Sequence, residues 1–376
     1  MKHILLAIWL LSFGVLAAEP DSNKSAKENN QINSAHRHLA DACAAAALTF
    51  LDSLDKDQRD LAAWPFVGDK RRKWTYYPNV PQLDVRKEGL AIKLMSGEQR
   101  IAAHRLIECG LSSQGYQKAS GVMRLDDILG QTDLYRPRTP EEEAPVGSGN
   151  FFLAIFGEPG NSLPWGWQLE GHHLGLNFTV VDGEIVFAPA FMGADPAEVP
   201  DGPYAGWRLL GAEVDKALLL VNSLNSKQRE QAILADEIPE RVITGPGRAD
   251  ALKEYSGLPA SELSQEQLYL LWELIREYVF NSAAVISADH MTAIVQSMPD
   301  ETWFAWMGPT TPGSGIYYRI HSPTLLIEFV TARNRQSPTR EPNPNHVHTM
   351  FRYPGNDFGD DLLRRHYETS PDHQHE

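Results

Sequence analysis

Two histidines separated by one residue, His346 and His348, lie in a strand-like run, His-Val-His-Thr-Met-Phe-Arg over 346–352. Side chains alternate along a strand, so both imidazoles face the same way. Glu328 interrupts an apolar run over 325–330, and a carboxylate buried in such a run needs a partner. Two neutral imidazoles and one carboxylate are a donor set for a divalent metal with coordination positions left open. Zn²⁺ would activate water there, and Fe²⁺ or Cu²⁺ would serve oxygen chemistry. Glu170, His172 and His173 form a second polar cluster, Glu-Gly-His-His. Adjacent strand residues point to opposite faces, so His173 shares its face with Asn177 and His172 shares its face with Glu170. Either histidine is a further candidate ligand, and Glu170 is a candidate catalytic group. Arg352 ends the His-x-His run and is suited to clamping a substrate carboxylate or phosphate. Asp357 is a catalytic candidate or simply that arginine's ion-pair partner. The same residues are also consistent with a buried hydrogen-bonded network or a solvated strand face.

An internal repeat supplies a register that would bring these groups together. Residues 151–179 run without a gap against residues 302–330, with identities at Ala154/Ala305, Gly157/Gly308, Leu174/Leu325 and Phe178/Phe329. Four helix starts share one signature: Asp55 with Gln58, Ser96 with Gln99, Asn225 with Gln228 and Ser264 with Gln267. In each, the cap oxygen accepts an orphan N–H and the Gln reaches back to the cap's own N–H. The four fall in two pairs of similar spacing. Each half is therefore expected to hold helices and then an antiparallel hairpin, with an exposed insertion around 131–149 in the first half. Convergent capping is the alternative to duplication. Asp182-Gly183 between two apolar runs signals a two-residue hairpin turn. It sets Val181 opposite Glu184 and Asn177 opposite Ala188. Carried to the second half with Phe191 matched to Phe351, this register puts Glu328 opposite His348 and matches Val186 to His346.

Trp165, Trp167, Trp303, Trp306, Tyr317 and Tyr318 precede the two strand runs. They would wall a ligand pocket or form the core of the β portion. His366, His373 and His375 sit near the end, and a His-rich tail binds metal weakly. The chain has no Gly-x-Ser-x-Gly elbow, phosphate loop, His-Glu-x-x-His helix or dinucleotide fingerprint, so serine-hydrolase, nucleotide-enzyme and zincin readings lack a motif.

The formal net charge of -15 disfavours nucleic acid and anionic membrane surfaces. A small molecule or a peptide is the expected substrate. Lys2 and His3 precede an apolar run over 4–17 that is short for a membrane span, and Val15-Leu16-Ala17 fits a signal cleavage site. A signal peptide over 1–17 and a disordered leader over 18–37 are expected, with no membrane span in the mature protein. Only Cys43 and Cys109 occur, and they are either two buried thiols or a disulfide that export would permit.

Trp167 to Asn177, Tyr318 to His321, Leu326 to Glu328, His346 to Arg352 and Asn356 to Gly359 together resemble the domain of unknown function 3500 family. The resemblance covers nearly the whole mature chain. It implies an exported protein and carries over no activity and no catalytic residues. The expected fold is α+β, with related halves over 38–200 and 201–376 packed as one pseudo-twofold unit.

Overall fold

The computed structural model describes residues 22–369 apart from 80–86, 133–134, 138, 140–143, 161–162 and 334–337, with side chains from residue 34. The expected signal peptide, His373 and His375 lie outside the described residues, as does part of the 131–149 insertion. The chain runs α1 (Ser22–Asp52), α2 (Lys56–Ala62), β1 (Ala63–Trp64), β2 (Leu90–Ala91), α3 (Gly97–Cys109), α4 (Ser113–Leu129), β3 (Phe152–Phe156), β4 (Trp165–Gly171), β5 (Leu174–Val181) and β6 (Glu184–Ala194). It continues through α5 (Gly211–Ser223), α6 (Ser226–Ala232), β7 (Ile233–Ala235), β8 (Leu258–Pro259), α7 (Gln265–Val279), α8 (Ala284–Ser297), β9 (Trp303–Met307), β10 (Tyr317–Ser322), β11 (Leu325–Arg333), β12 (Pro342–Arg352) and α9 (Asp360–Thr369).

The described strands join one sheet in the order β1-β3-β4-β5-β6-β12-β11-β10-β9-β7, with β2 on β3 and β8 on β9. Among the described residues, only β1 on β3 and β7 on β9 pair in parallel. Helices and a large mixed sheet thus give the α+β class. No described helix is long and apolar enough to cross a membrane.

Alternation decides which face of the sheet does what. One face meets the helices. There Leu176, Phe178, Phe187, Ile327, Phe329 and Phe351 join the apolar stripes of α1, α3, α7 and α8 in one core. On α1 that stripe is Ala40, Cys43, Ala44, Ala47, Phe50 and Leu51, at helical spacing. Cys43 and Cys109 form a disulfide that ties α1 to α3. The stretch expected to be a disordered leader is helical from Ser22, because a helix nucleated by this buried stripe extends at little cost. Trp165, Trp167, Trp306, Tyr317 and Tyr318 are fully buried, so these aromatics are core.

All four expected capping boxes are present. The capping glutamines also meet in pairs. Gln58 and Gln99 exchange reciprocal amide hydrogen bonds of 3.1 and 2.7 Å, and Gln228 and Gln267 do the same at 2.9 and 3.0 Å. Gln99 also donates to Ser53 O, and Gln267 to Ser223 O.

The Asp182–Gly183 turn is as expected, with φ of 52° and 84° and Val181 opposite Glu184. The register carried to the second half is not. Glu328 pairs with Met350, and His348 pairs with Val330. In the first hairpin Leu176 faces Ala190 while Phe178 faces Phe187, so β6 bulges by one residue at 188–189. The pairing of β11 with β12 is regular from Leu326 to Thr331. Counting from the turn therefore misplaces the partner, although Glu328 and His348 do share a sheet face.

Candidate functional site

The face away from the helices carries Gln168, Glu170, Asn177, Arg319, Glu328, His348 and Arg352, all buried. Irregular chain covers this face, and two buried carboxylates fasten it down. Glu170 accepts the backbone N–H groups of Thr75 (3.0 Å) and Glu88 (2.9 Å). Lys87 lies 3.9 Å from Glu170 and donates to the carbonyls of Thr75 and Gly171. This holds the segment that bears Tyr76 and Tyr77. Glu328 accepts the N–H groups of Ile243 (2.7 Å) and Thr244 (2.8 Å), the Thr244 hydroxyl and the Tyr317 hydroxyl (3.0 Å). Arg352 donates from Nε to Thr244 O (2.8 Å) and from Nη2 to Gly245 O (3.1 Å), and pairs with Asp357 through Nη1. Those bonds hold the segment that bears Arg241.

Three imidazoles converge between these covering segments. His346 Nε2 lies 2.8 Å from His173 Nε2 and 3.0 Å from His348 Nε2. One ligand atom from each of the three falls within 4.8 Å of the others. A ring nitrogen carries one N–H or one lone pair. His346 Nε2 cannot make two full hydrogen bonds, so the arrangement overfills its capacity. A cation among the three nitrogens would resolve that. Tetrahedral Zn–N bonds of about 2.0 Å would space the nitrogens about 3.3 Å apart, close to the two distances from His346 Nε2.

Each ring is aimed by its element. His348 and His346 come from β12 at alternate positions. His173 ends the two-residue turn between β4 and β5 with φ 61°, a conformation that costs a non-glycine residue energy and collects at functional sites. Its N–H donates to Tyr76 O (3.0 Å) and its carbonyl accepts from Gly193 N (2.8 Å). Gly193 packs closely under the rings: a Cβ there would lie 3.0 Å from His348 Cδ2, 3.0 Å from Val347 O and 3.1 Å from His173 Cδ2, so these neighbours would have to give by a few tenths of an ångström.

Asp195 Oδ2 lies 3.5 Å from His346 Nδ1, on the far side of that ring from the convergence point. Burial raises the Asp195 carboxyl to a pKa of about 6, while His172 pulls it back. A carboxylate behind an imidazole fixes ring orientation and tautomer at metal centres. His172 stacks on His173 with ring centroids 3.8 Å apart, and its Nδ1 lies 2.6 Å from Asp126 Oδ1.

The structure thus joins His346, His348 and His173 of the expected set. His172 stands beside the group with its own carboxylate. Glu328 and Glu170 lie apart, each on backbone N–H donors. Arg352 and Asp357 pair with each other, and the other two Arg352 nitrogens donate to main-chain carbonyls. The sequence reading missed Asp195, Asp126, Tyr76, Tyr77, Arg241, Arg333 and Arg340. Of these, Asp195 had a signal: it follows β6, the strand beside the His-x-His strand. A cavity of about 80 Å³ adjoins the cluster, lined by His346 and His348 together with Tyr76, Tyr77, Arg241, Arg333 and Arg340. No curated protein and no solved structure matches the chain. The family model described as Protein of unknown function (DUF3500) matches residues 36–360, and the chain belongs to that family.

Proposed function

We propose that the protein is an exported, metal-dependent enzyme in which His173, His346 and His348 hold one divalent cation through their Nε2 atoms. The observation that carries this is the double contact at His346 Nε2, 2.8 Å to His173 and 3.0 Å to His348. Three neutral imidazoles leave the ion its full charge and at least one open position, the pattern of zinc sites that ionise water. Hydrolysis or hydration is therefore the favoured chemistry, and iron or copper with oxygen is the oxidative counterpart. Asp195 holds His346 in place behind the ion. The Cys43–Cys109 disulfide supports export to an oxidising compartment.

We also read the chain as two related halves about a pseudo-twofold axis. Supporting this are the matching glutamine pairs, the symmetric strand order, and the direct pairing of Ala190 with Phe351 where β6 meets β12. In that reading the metal set is asymmetric. His173 comes from one half, and His346 and His348 from the other.

The test is elemental analysis of purified protein exposed in turn to Zn²⁺, Fe²⁺ and Cu²⁺. Stoichiometric metal is expected in the wild type and none in the H346A/H348A double variant. A metal-free wild type under replete conditions refutes the centre. A second reading, a non-catalytic metal- or ligand-binding protein, is favoured by the small volume of the adjoining cavity. It predicts bound metal without turnover of ester, peptide or phosphate substrates.

A further inference from the structure

The cavity beside the three histidines has a composition that the metal reading does not require. Three guanidinium side chains line it, those of Arg241, Arg333 and Arg340, against one carboxylate, Glu240. The whole chain carries a net charge of -15, so this local excess of cations runs against the background. Glu240 lies 3.5 Å from Arg340. Arg241 and Arg333 have no ion-pair partner among the described residues. Arg333 donates only to main-chain carbonyls, Arg340 O at 3.2 Å and Ile238 O at 3.1 Å, and its Nε is buried without a hydrogen-bond partner. An unpaired donor on a charged group out of water is costly unless something fills it. Arg340 itself has φ 49°, a second non-glycine residue in left-handed backbone at this site besides His173.

We propose that this cavity is the substrate-recognition pocket of the metal centre and that it takes an oxyanion, the carboxylate or phosphate group of a small molecule. Guanidinium forks match both groups bidentately. The volume, about 80 Å³, is on the scale of one such group. Tyr76 and Tyr77, held by the Glu170 anchor, form the aromatic wall. Arg241, beside the segment held by the Glu328 and Arg352 anchors, lines the same cavity. An anion seated on the arginines would present its adjoining atoms to the cation on His346 and His348, which line the same cavity. This inference rests on the proposed metal centre for its chemistry, but the anion site can be tested separately.

The experiment is calorimetric titration of the full chain, zinc-loaded and chelator-stripped, with inorganic phosphate and separately with malonate. Metal content is measured in the same samples. Saturable binding of at least one anion to wild type is expected. Binding should weaken about 10- to 100-fold in R241Q/R340Q, as expected for lost charged hydrogen bonds, with bound zinc unchanged. Both of those residues are exposed, so their loss should not unfold the protein. R333K provides a second variant that keeps the charge and loses the fork, and it should weaken binding while leaving the circular dichroism spectrum unchanged. The tighter of the two anions names the substrate class. Absence of saturable binding, or equal affinity in wild type and R241Q/R340Q, overturns the pocket even if zinc is held. Arginine-dependent binding to a chain that holds no zinc upholds the pocket and refutes the metal centre.

Discussion

Glu328 and His348 share a sheet face, yet their surroundings give them different work. Glu328 is saturated by two backbone N–H groups and two hydroxyls, whereas His348 contributes its Nε2 to a three-nitrogen cluster. E328Q turns one acceptor oxygen into a donor facing donors. It should cost about 1–3 kcal/mol of stability while metal stays bound. H348A should do the reverse, losing metal with little change in the urea midpoint of the metal-free protein. Equal metal loss in both variants would place Glu328 in the centre after all. His290 offers a pH test away from the site. It is buried, donates to Thr324 O (2.8 Å) and stacks on Tyr353. Burial lowers its pKa from 6.5 to about 4. The folded state thus binds fewer protons between those values. Stability is intact above pH 6.5 and falls toward pH 4 by about 3 kcal/mol. H290Q should flatten the stability curve in that window, and an unchanged slope would contradict the assignment. At this scale the histidine types and parity were legible in the sequence. The partners of Glu328 were not, since its backbone donors lie 84 and 85 residues away in irregular chain that carries no pattern.

Among the elements, the local rules were the legible ones. A capping box is written within four residues, so every helix start that carried one was readable. The reciprocal pairing of those glutamines, 41 and 39 residues apart, was not. The Asp182–Gly183 turn fixed its own hairpin, but the bulge at 188–189 broke the count needed to transfer the register. A bulge depends on packing around Pro189, whose carbonyl accepts from Asn177 Nδ2 (2.7 Å), and alternation alone does not announce it. The element that sets the site most tightly is the end of β6. Gly193 separates two imidazole edges, and a methyl group there would have to displace both by a few tenths of an ångström. G193A should push His173 and His348 apart, cost about 1–3 kcal/mol through overpacking, and abolish stoichiometric metal binding. Retention of wild-type metal affinity in G193A would show that the rings can shift freely, contrary to the packing found.

For the molecule as a whole, the candidate ligands join distant parts of one sheet. His173 ends the β4–β5 turn and His346 lies on β12, 173 residues later. A cation bound by both is a cross-link that exists only in the folded chain, because the unfolded chain does not keep the three rings together. Ligand linkage then fixes the sign: free metal at a thousandfold excess over its dissociation constant adds about 4 kcal/mol to the unfolding free energy. Chelation should therefore lower the midpoint of thermal unfolding in the wild type, and restoring the ion should recover it. The effect should vanish in H346A/H348A, whose midpoint should match that of the chelated wild type once any change in packing is measured in the metal-free proteins. The Cys43–Cys109 bridge constrains α1 and α3 in both states of this comparison, so it cannot mimic the shift provided reductant is left out. If the wild type releases stoichiometric metal on chelation and its midpoint does not move, the ion is held elsewhere than between these strands. The three histidines would then be a polar cluster whose close contacts need another explanation.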